Sequence, residues 1–304
     1  MGKVYKFSDI ADNHVPQADD FARAKTMALD ELSRLVFCGS IYGAKVFGSV
    51  AKGTPNERSD FDLLVITQDD LVLEALKEIF ETIVAQTKVE IEPIVVSKEF
   101  AKRGFHSIED LFLDHIRSIP NDGNVAGNDP LEILKPFDLP SAKVHEQYLA
   151  QKIRRLKEGF FTNSEVDRNR VLQRALEAPV NVGRRTLQVL PQLGYPIEIE
   201  DDSKQTIIHV FQETFKNTIL MPGFNFLLDK DEEYTLFLKE AVTGNVLQEE
   251  YEHAVSYLAE QCIPQAITWT SEISLIYMNL LEGSQRFQEG SATLRRGKES
   301  FGQE

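Results

Sequence analysis

Two aspartates at the head of a short apolar run constrain this chain more than any other feature. Asp60 and Asp62 are separated by one residue, and the run at 61–66 has the pattern of a strand buried on both faces. Because side chains alternate along a strand, Asp60 and Asp62 point to one face and Phe61 points to the other. Two carboxylates on one face repel each other unless a cation lies between them. The pair therefore predicts a divalent-metal site, and Mg²⁺ together with substrate phosphates meets that need.

A Gly-Ser pair upstream of the aspartates predicts a place for those phosphates. Residues 43–50 have the pattern of a short strand that ends in a turn at Gly48 and Ser49. Gly48 lets the backbone approach a phosphate closely, and Ser49 offers a hydroxyl and an exposed N–H to an anion. Lys52 supplies a compact positive charge for the outer phosphates. Together these residues indicate a site for a nucleoside triphosphate and a divalent metal.

A third carboxylate is expected in a metal-held phosphoryl-transfer site, and a later strand offers two. Residues 89–96 have a strand pattern in which Glu90 and Glu92 share one face. A buried strand rarely carries two charges unless one end is solvated or binds a metal. Either glutamate can complete the site, and the other then faces water. Pro93 lacks a backbone N–H, so we expect this strand at a sheet edge or locally bent.

This motif resembles the signature of the DNA polymerase β-like nucleotidyltransferase superfamily, and the resemblance covers residues 18–138. It is carried by Gly48-Ser49, Gly53 and Ser59-Asp60-Phe61-Asp62-Leu63. Lys52 stands where many minimal members carry an arginine before the second glycine. The resemblance implies a small mixed sheet flanked by helices and an NTP substrate, with ATP as the first choice. The residues that it assigns to nucleotide binding are Gly48, Ser49, Lys52, Gly53 and Ser59.

The resemblance also implies a role for each carboxylate. Asp60 and Asp62 would bridge two Mg²⁺ ions that clamp the attacking and leaving oxygens of an in-line displacement. The family's third carboxylate lies a few residues before the next helix, so the helix start expected at 97–99 favours Glu92 over Glu90. That carboxylate would hold the metal that activates an acceptor hydroxyl, and would take its proton. Because the spacing in the family is not rigid, Glu90 remains the alternative.

Composition limits the class of protein and of partner. With 33 Lys and Arg against 48 Asp and Glu, the chain has a formal net charge of -15, which argues against extended nucleic-acid binding. Cys38 and Cys262 have no spacing typical of zinc or of a disulfide framework. Without a secretory leader or an apolar run of the ~18 residues that a membrane span needs, we expect a reduced, cytoplasmic protein.

The pattern along the chain predicts two domains and a tail. Strand signals end near 136–140, a proline-flanked segment that marks the best boundary. We therefore predict an α+β fold, with a nucleotidyltransferase catalytic domain at 1–138. An all-α helical bundle is predicted at 141–282 and a polar tail at 283–304.

Apolar residues at helical spacing predict the individual helices. In the first domain they are expected at 21–37, 71–84 and 108–119. In the bundle they are expected at 144–158, 165–178, 180–193, 204–215, 232–242, 247–261 and 266–281. Turns are expected at 194–196 and 221–223, because each contains glycine and proline.

Charge is divided unevenly along the predicted bundle. Residues 143–190 hold ten Lys and Arg against five acids, whereas 196–282 hold four Lys against sixteen acids. The first segment is either a basic face that helps to bind nucleotide or RNA, or solvated helix surface. The second is either an acidic wall suited to a cationic acceptor or solvated surface. The arginines of the basic segment include Arg154, Arg155, Arg168, Arg170, Arg184 and Arg185.

Residues 169–211 are similar to the all-helical HEPN family, whose domains often accompany minimal nucleotidyltransferases. Catalytic HEPN ribonucleases carry an arginine followed four to six residues later by a histidine. None of the six histidines of this chain has an arginine at that distance. The resemblance therefore implies a non-catalytic HEPN-like domain, through which the chain is expected to form a homodimer.

The sequence thus predicts a Mg²⁺-dependent transferase that moves a nucleoside monophosphate from an NTP to an acceptor hydroxyl and releases pyrophosphate. The acceptor is a small molecule, a protein or an RNA end. One alternative is an aminoglycoside-type antibiotic nucleotidyltransferase, with an acidic wall at 229–233 or at Glu249 and Glu250. A second is a non-enzymatic nucleotide-binding module of a toxin–antitoxin-like system. The intact Asp60 and Asp62 pair argues against the second, because a binding module does not need two repelling carboxylates.

Overall fold

A four-stranded mixed sheet organises the first part of the chain. The computed structural model describes residues 3–137, 139, 141–161, 165–201 and 203–300, with side chains for all of these except 165–167 and 284–300. The strands are β1 (Ile41–Phe47), β2 (Phe61–Thr67), β3 (Ile91–Ser97) and β4 (Val125–Gly127). Their order across the sheet is β3-β2-β1-β4. Strand β1 is antiparallel to β2 and β4, while β2 and β3 are parallel, which confirms the predicted mixed sheet.

Eleven α-helices lie in the described residues. Those around the sheet are α1 (Phe7–Ala11), α2 (Ala18–Phe37), α3 (Gly48–Lys52), α4 (Leu73–Thr87), α5 (Lys98–Arg103) and α6 (Asp110–Arg117). Those that follow are α7 (Ser141–Phe160), α8 (Glu165–Val189), α9 (Lys204–Phe215), α10 (Leu220–Val242) and α11 (Gln248–Ser300). Short 3-10 helices span Asp70–Val72, Pro130–Glu132 and Leu190–Leu193. The predicted succession of a small sheet and a helical region is confirmed.

Alternation along the strands gives the sheet two buried faces. One face packs against α2 and α4 through Val46, Leu63 and Val65. The other packs against α5 and α6 through Leu64 and Ile66. Strand β2 is therefore buried on both sides, as its continuous apolar run predicts.

Strand β3 lies at the edge of the sheet, as predicted from Pro93. The N–H of Phe61 donates to the carbonyl of Glu90 at 2.9 Å, and Pro93 pairs with Leu63. Alternate residues of a parallel strand bond to the same neighbour, so the nitrogen of Pro93 faces away from β2. The missing N–H of Pro93 is therefore not required by the ladder.

Three predicted helix breaks are wrong. Helix α8 continues through Pro179, and α11 continues through Pro264. An interior proline removes one hydrogen bond, but buried neighbours such as Ala178 and Ile263 hold these helices by packing. The turn expected at 221–223 lies in the first turn of α10, where a proline is tolerated because its N–H would have no partner.

The chain divides into two compact units. The first comprises Met1–Leu139 with Leu236–Ala254, and the second comprises Pro140–Thr235 with Val255–Glu304. Within the first unit, the Tyr251 hydroxyl donates to the carbonyl of Tyr5 at 3.1 Å. Of the predicted polar tail, 283–300 continues α11, and 301–304 lies outside the described residues. Among the described helices, none is both long and apolar enough to cross a membrane.

Candidate functional site

Three carboxylates converge on the face of the sheet that carries α5 and α6. Asp60 immediately precedes β2, Asp62 is its second residue, and Glu92 is the second residue of β3. Asp62 and Glu92 are directly paired in the parallel register of the two strands. One carboxylate oxygen from each of the three residues lies within 4.8 Å of the others. Asp60 is buried, Asp62 half-buried and Glu92 exposed, so this carboxylate cluster opens towards solvent at Glu92.

Strand alternation explains why Asp60 and Asp62 meet. Phe61 between them is fully buried in the core beneath α2 and α4, so the neighbouring side chains point to the opposite face. The cross-strand partner of Asp62 is Phe47, at the end of β1. The strand that the sequence predicted to end at residue 50 therefore ends at Phe47, and α3 begins directly beside Asp62.

Only one of the two candidate glutamates belongs to the carboxylate cluster. Glu90 precedes β3, and its carboxylate pairs with the Lys3 ammonium at 3.1 Å. Glu92, inside β3, lies beside Asp62. Glu90 and Glu92 therefore have different partners, although residues two apart in a strand point to the same face.

Gly48 has a specific relation to Asp62. Its φ is +71°, in the left-handed region that favours glycine, and a Cβ added to it would lie 2.0 Å from Asp62 Oδ2. The sequence analysis assigned this glycine to close approach of a phosphate. In the structure the group that approaches its backbone is the carboxylate of Asp62, so the absence of a side chain at Gly48 leaves room for a member of the cluster.

The other residues of the Gly-Ser turn form and end helix α3. Ser49 and Lys52 lie in this helix, and the Lys52 side chain is exposed. Gly53 ends the helix at φ +71°, and its N–H donates to the carbonyl of Val50 at 3.2 Å. Gly53 thus acts as the C-cap of α3.

Ser59 is part of the turn that presents Asp60. The N–H of Asn56 donates to Ser59 Oγ at 3.0 Å, and the Ser59 N–H donates to the Asn56 carbonyl at 2.9 Å. Arg58 in the same turn is buried, and its Nε donates to the Lys3 carbonyl at 3.3 Å. The Ser59 hydroxyl therefore stabilises the turn before β2, in addition to any contact with nucleotide.

A buried lysine on the same face of the sheet was missed by the sequence analysis. Lys45 in β1 is 1% exposed, and its Nζ donates to Asn121 Oδ1 at 2.6 Å. The Asp129 carboxylate lies 3.7 Å from the same nitrogen. These three residues line a cavity of about 490 Å³ together with Arg117 and others. The signal in the sequence is a lysine inside an apolar strand, which requires a buried partner.

Aromatic side chains border the strand position that carries Asp62. The Phe47 ring contacts Phe112 and His115 of α6, with centroid separations of 5.7 Å and 6.4 Å. Phe112 and His115 also stack on each other at 6.2 Å, and both are half-buried. Helix α6 therefore places planar, partly accessible surfaces next to the strand that precedes α3.

An apolar cavity lies on the opposite face of β3. It has a volume of about 550 Å³ and is lined by α4 and by Ile91, Pro93 and Val95. Glu92 points to the other face, since strand side chains alternate. This apolar groove is therefore not part of the carboxylate cluster.

Comparison with protein families agrees with the motif. Residues 28–118 match the family model described as nucleotidyltransferase domain. The matched segment contains β1 to β3, helix α3 and all three clustered carboxylates. Comparison with curated proteins gave no match. The match to residues 28–118 is therefore to the kind of domain that the sequence motif predicted.

Proposed function

We propose that the protein is a Mg²⁺-dependent nucleotidyltransferase that moves a nucleoside monophosphate from an NTP, ATP first among them, to an acceptor hydroxyl with release of pyrophosphate. The observation that carries this proposal is the convergence of Asp60, Asp62 and Glu92 within the nucleotidyltransferase domain. Three like charges within 4.8 Å repel one another, so the arrangement favours a bound cation.

The donor set fits magnesium. All three groups are carboxylates, the hard oxygen ligands that Mg²⁺ takes in phosphoryl-transfer sites. Asp62 lies in a strand buried on both faces and Asp60 immediately precedes that strand, so both positions are fixed before any ligand arrives. Bound magnesium would neutralise the phosphates and lower the pKa of an acceptor hydroxyl.

The remaining roles follow from exposure and position. Glu92 is the exposed member of the cluster, so it can reach an acceptor hydroxyl and take its proton. Gly48 leaves room for Asp62, while Ser49 and the exposed Lys52 lie on α3 beside the cluster and would contact the outer phosphates. Ser59 and Gly53 would support the nucleotide indirectly, through the turn before Asp60 and the end of α3.

The first test measures transfer directly. Purified chain, Mg²⁺ and each α-phosphate-labelled NTP are incubated with protein, RNA and small-molecule acceptor pools, and with a panel of aminoglycosides. Asp60→Asn and Asp62→Asn are each expected to lower transfer by at least about a thousandfold, because magnesium supplies several kcal/mol of transition-state stabilisation. Asp69→Asn is the matched control, since Asp69 caps a 3-10 helix and asparagine caps equally well.

Metal binding is measured separately, because transfer is not detected if the acceptor is missing from the assay. Mn²⁺ replaces Mg²⁺ in a titration followed by electron paramagnetic resonance. We expect binding by the unchanged chain and by Asp69→Asn, and loss of binding by Asp62→Asn. Unchanged transfer or unchanged Mn²⁺ binding in Asp60→Asn and Asp62→Asn would contradict the proposal.

Further proposals concern the domains of the chain and its assembly. We propose residues 1–138 as the catalytic domain, 141–282 as a non-catalytic HEPN-like helical domain and 283–304 as a polar tail. We also propose that the helical domain forms a homodimer, which light scattering at several protein concentrations tests. Within the acidic segment, Asp231 pairs with Lys204 at 2.8 Å and Glu233 with Lys230 at 2.6 Å, so an aminoglycoside would have to displace these lysines.

A further inference from the structure

Helices α7 and α8 bring positively charged side chains to one place in the second unit. Lys152 and Arg155 lie on α7 at i and i+3, and follow Tyr148 at helical spacing. Arg174, Arg184 and Arg185 lie on α8. We call these five cationic residues the cationic cluster. All of them belong to the segment Pro140–Thr235, and none is part of the carboxylate cluster.

The ring of Tyr148 lies against two members of this group. The Arg185 guanidinium carbon is 5.2 Å from the ring centroid, and Lys152 Nζ is 5.9 Å from it. The His145 ring stacks on Tyr148 at 5.9 Å with an angle of 21° between the planes. Arg184 and Arg155 also act electrostatically on the Tyr148 hydroxyl. Two cationic side chains therefore lie over one aromatic ring, and two more act on its hydroxyl.

Burial and neighbouring charges act together on Lys152 in the cationic cluster. Burial lowers the pKa of Lys152, and the positive charges of Arg174 and Arg155 lower it further. Glu177 on α8 opposes this shift, and its charge acts more strongly on Lys152 than either arginine does. The buried Glu177 carboxylate accepts from the amides of Gln173 and Asn181, each at 3.4 Å, so it is fixed in position. Lys152 is thus half-buried in a place where burial, more than the arginines, disfavours its charge.

Other cations of the same helices are matched individually with carboxylates. Arg154 donates to Glu158 at 2.7 Å, and Lys143 donates to Glu146 at 2.5 Å. Arg168 pairs with Glu260 at 3.2 Å. These pairs are ordinary surface interactions. In the cationic cluster, Arg185 and Lys152 lie over the Tyr148 ring.

We propose that the cationic cluster binds the phosphate groups of a small polyphosphate-bearing molecule. Arginines hold phosphate oxygens with two parallel hydrogen bonds, and the Lys152 ammonium adds a point charge. Bound phosphates would favour the charged form of Lys152, which burial disfavours. Burial also raises the pKa of Tyr148 to about 12, so its hydroxyl stays protonated and can donate to a phosphate oxygen.

Three observations favour a compact ligand over a nucleic-acid strand. His145 and Arg185 lie against the Tyr148 ring, which therefore does not offer the open stacking surface that single strands use. The chain as a whole has a formal charge of -15, which repels an extended polyanion outside the cluster. Lys152 and Arg155 also lie within one helical turn, a span of about 5 Å that suits adjacent phosphates.

Isothermal titration calorimetry with inorganic triphosphate tests the proposal on the full chain. EDTA removes divalent metal, and the titration is repeated with Asp62→Asn, so that binding at the carboxylate cluster is excluded. We expect Lys152→Met and Arg185→Gln to weaken binding at least about tenfold, since each removes a charge-assisted contact. Arg155→Gln serves as an exposed third variant if either of these fails to fold.

The matched controls lie on the same helix. Lys143→Met and Arg154→Gln remove one charge each outside the cationic cluster, and we expect affinities within about twofold of the unchanged chain. ATP and pyrophosphate are expected to bind, while sulfate at equal ionic strength is not.

The proposal is wrong if triphosphate does not bind, if Arg154→Gln and Arg155→Gln weaken binding equally, or if Asp62→Asn abolishes it. Binding of ATP or an RNA oligonucleotide without binding of triphosphate would also overturn it. Because none of these titrations measures transfer, loss of the proposed nucleotidyltransferase activity would leave this result unaffected.

Discussion

The carboxylate cluster and the cationic cluster both gather like charges, but different backbone periods assemble them. Asp60 and Asp62 are two residues apart, and the strand period of two brings them together, with Glu92 added by strand pairing. The five cations are distributed along two helices and meet only because α7 packs on α8. A charge cluster built on one strand is therefore visible as a motif, whereas one built across two helices is not.

The two clusters also differ in how firmly their charges are held. Asp62 has a short side chain on a fully buried strand, and the backbone of Gly48 lies against its carboxylate. Lysine and arginine have long, flexible stems that can rearrange around a ligand. We therefore expect single substitutions to have larger effects at the carboxylate cluster than at the cationic cluster.

Beyond the two aspartates, the largest expected effect separates Glu92 from Glu90. Glu92→Gln removes the exposed carboxylate of the cluster, and we expect transfer to fall by about a hundredfold, as for loss of a general base. Glu90→Gln removes the pair with Lys3, an exposed interaction, and we expect transfer within about twofold of the unchanged chain. Steady-state transfer rates at saturating Mg²⁺ give the comparison. Equal losses in both variants would show that strand register does not define the site.

Gly48 and Gly53 offer a second comparison, because both have φ of +71°. Gly53→Ala meets no atom within 4 Å, so it carries only the left-handed backbone cost of about 1–2 kcal/mol in stability. Gly48→Ala adds an overlap with Asp62 Oδ2, so the carboxylate must move. We expect Gly48→Ala to lower transfer about a hundredfold and to weaken Mn²⁺ binding, whereas Gly53→Ala lowers only the melting temperature. A normal Mn²⁺ affinity in Gly48→Ala would show that the rigid support of Asp62 is dispensable.

The sheet could be predicted because its signals are local. The apolar run of β2, the position of Pro93 and the start of α5 at Lys98 each follow from a few adjacent residues. The breaks expected at Pro179 and Pro264 were wrong because packing, which no local pattern contains, stabilises the helices across them. The same limit applies to Gly48, since its contact with Asp62 depends on how β1 pairs with β2.

The basic segment at 143–190 could be recognised from composition, but the sequence does not show which of its residues belong to the cationic cluster. Arg154 and Arg155 are adjacent in the sequence, yet Arg154 donates to Glu158 while Arg155 acts on Tyr148 and Lys152. The difference arises because neighbouring residues of a helix lie about 100° apart around its axis. Which side faces α8 is decided by packing, so the sequence indicates a basic region and only the structure indicates a cluster.

The smallest expected effect tests whether water is excluded from His145, which stacks on Tyr148 beside the cationic cluster. His145 is fully buried, its Nε2 lies 3.0 Å from Thr186 Oγ1, and Thr186 donates its own proton to the Val182 carbonyl. Nε2 must therefore carry the hydrogen, and the ring is neutral. Burial, with a smaller contribution from Arg185, lowers the pKa of His145 to about 3.

A folded-state pKa below the unfolded value of about 6.5 makes His145 stabilising above that pH and progressively less so as the pH falls towards 3. Between pH 6 and pH 5 this group alone should reduce the free energy of unfolding by roughly 1 kcal/mol. His145→Phe is expected to lack that share of the slope in urea denaturation at the two pH values, while His209→Gln, at an exposed position, keeps it. Because burial is the larger cause, Arg185→Gln should also keep the slope. If the slope disappears in Arg185→Gln, the positive charge of Arg185, rather than the exclusion of water, controls the protonation of His145. The cationic cluster and the carboxylate cluster would then differ in electrostatics alone.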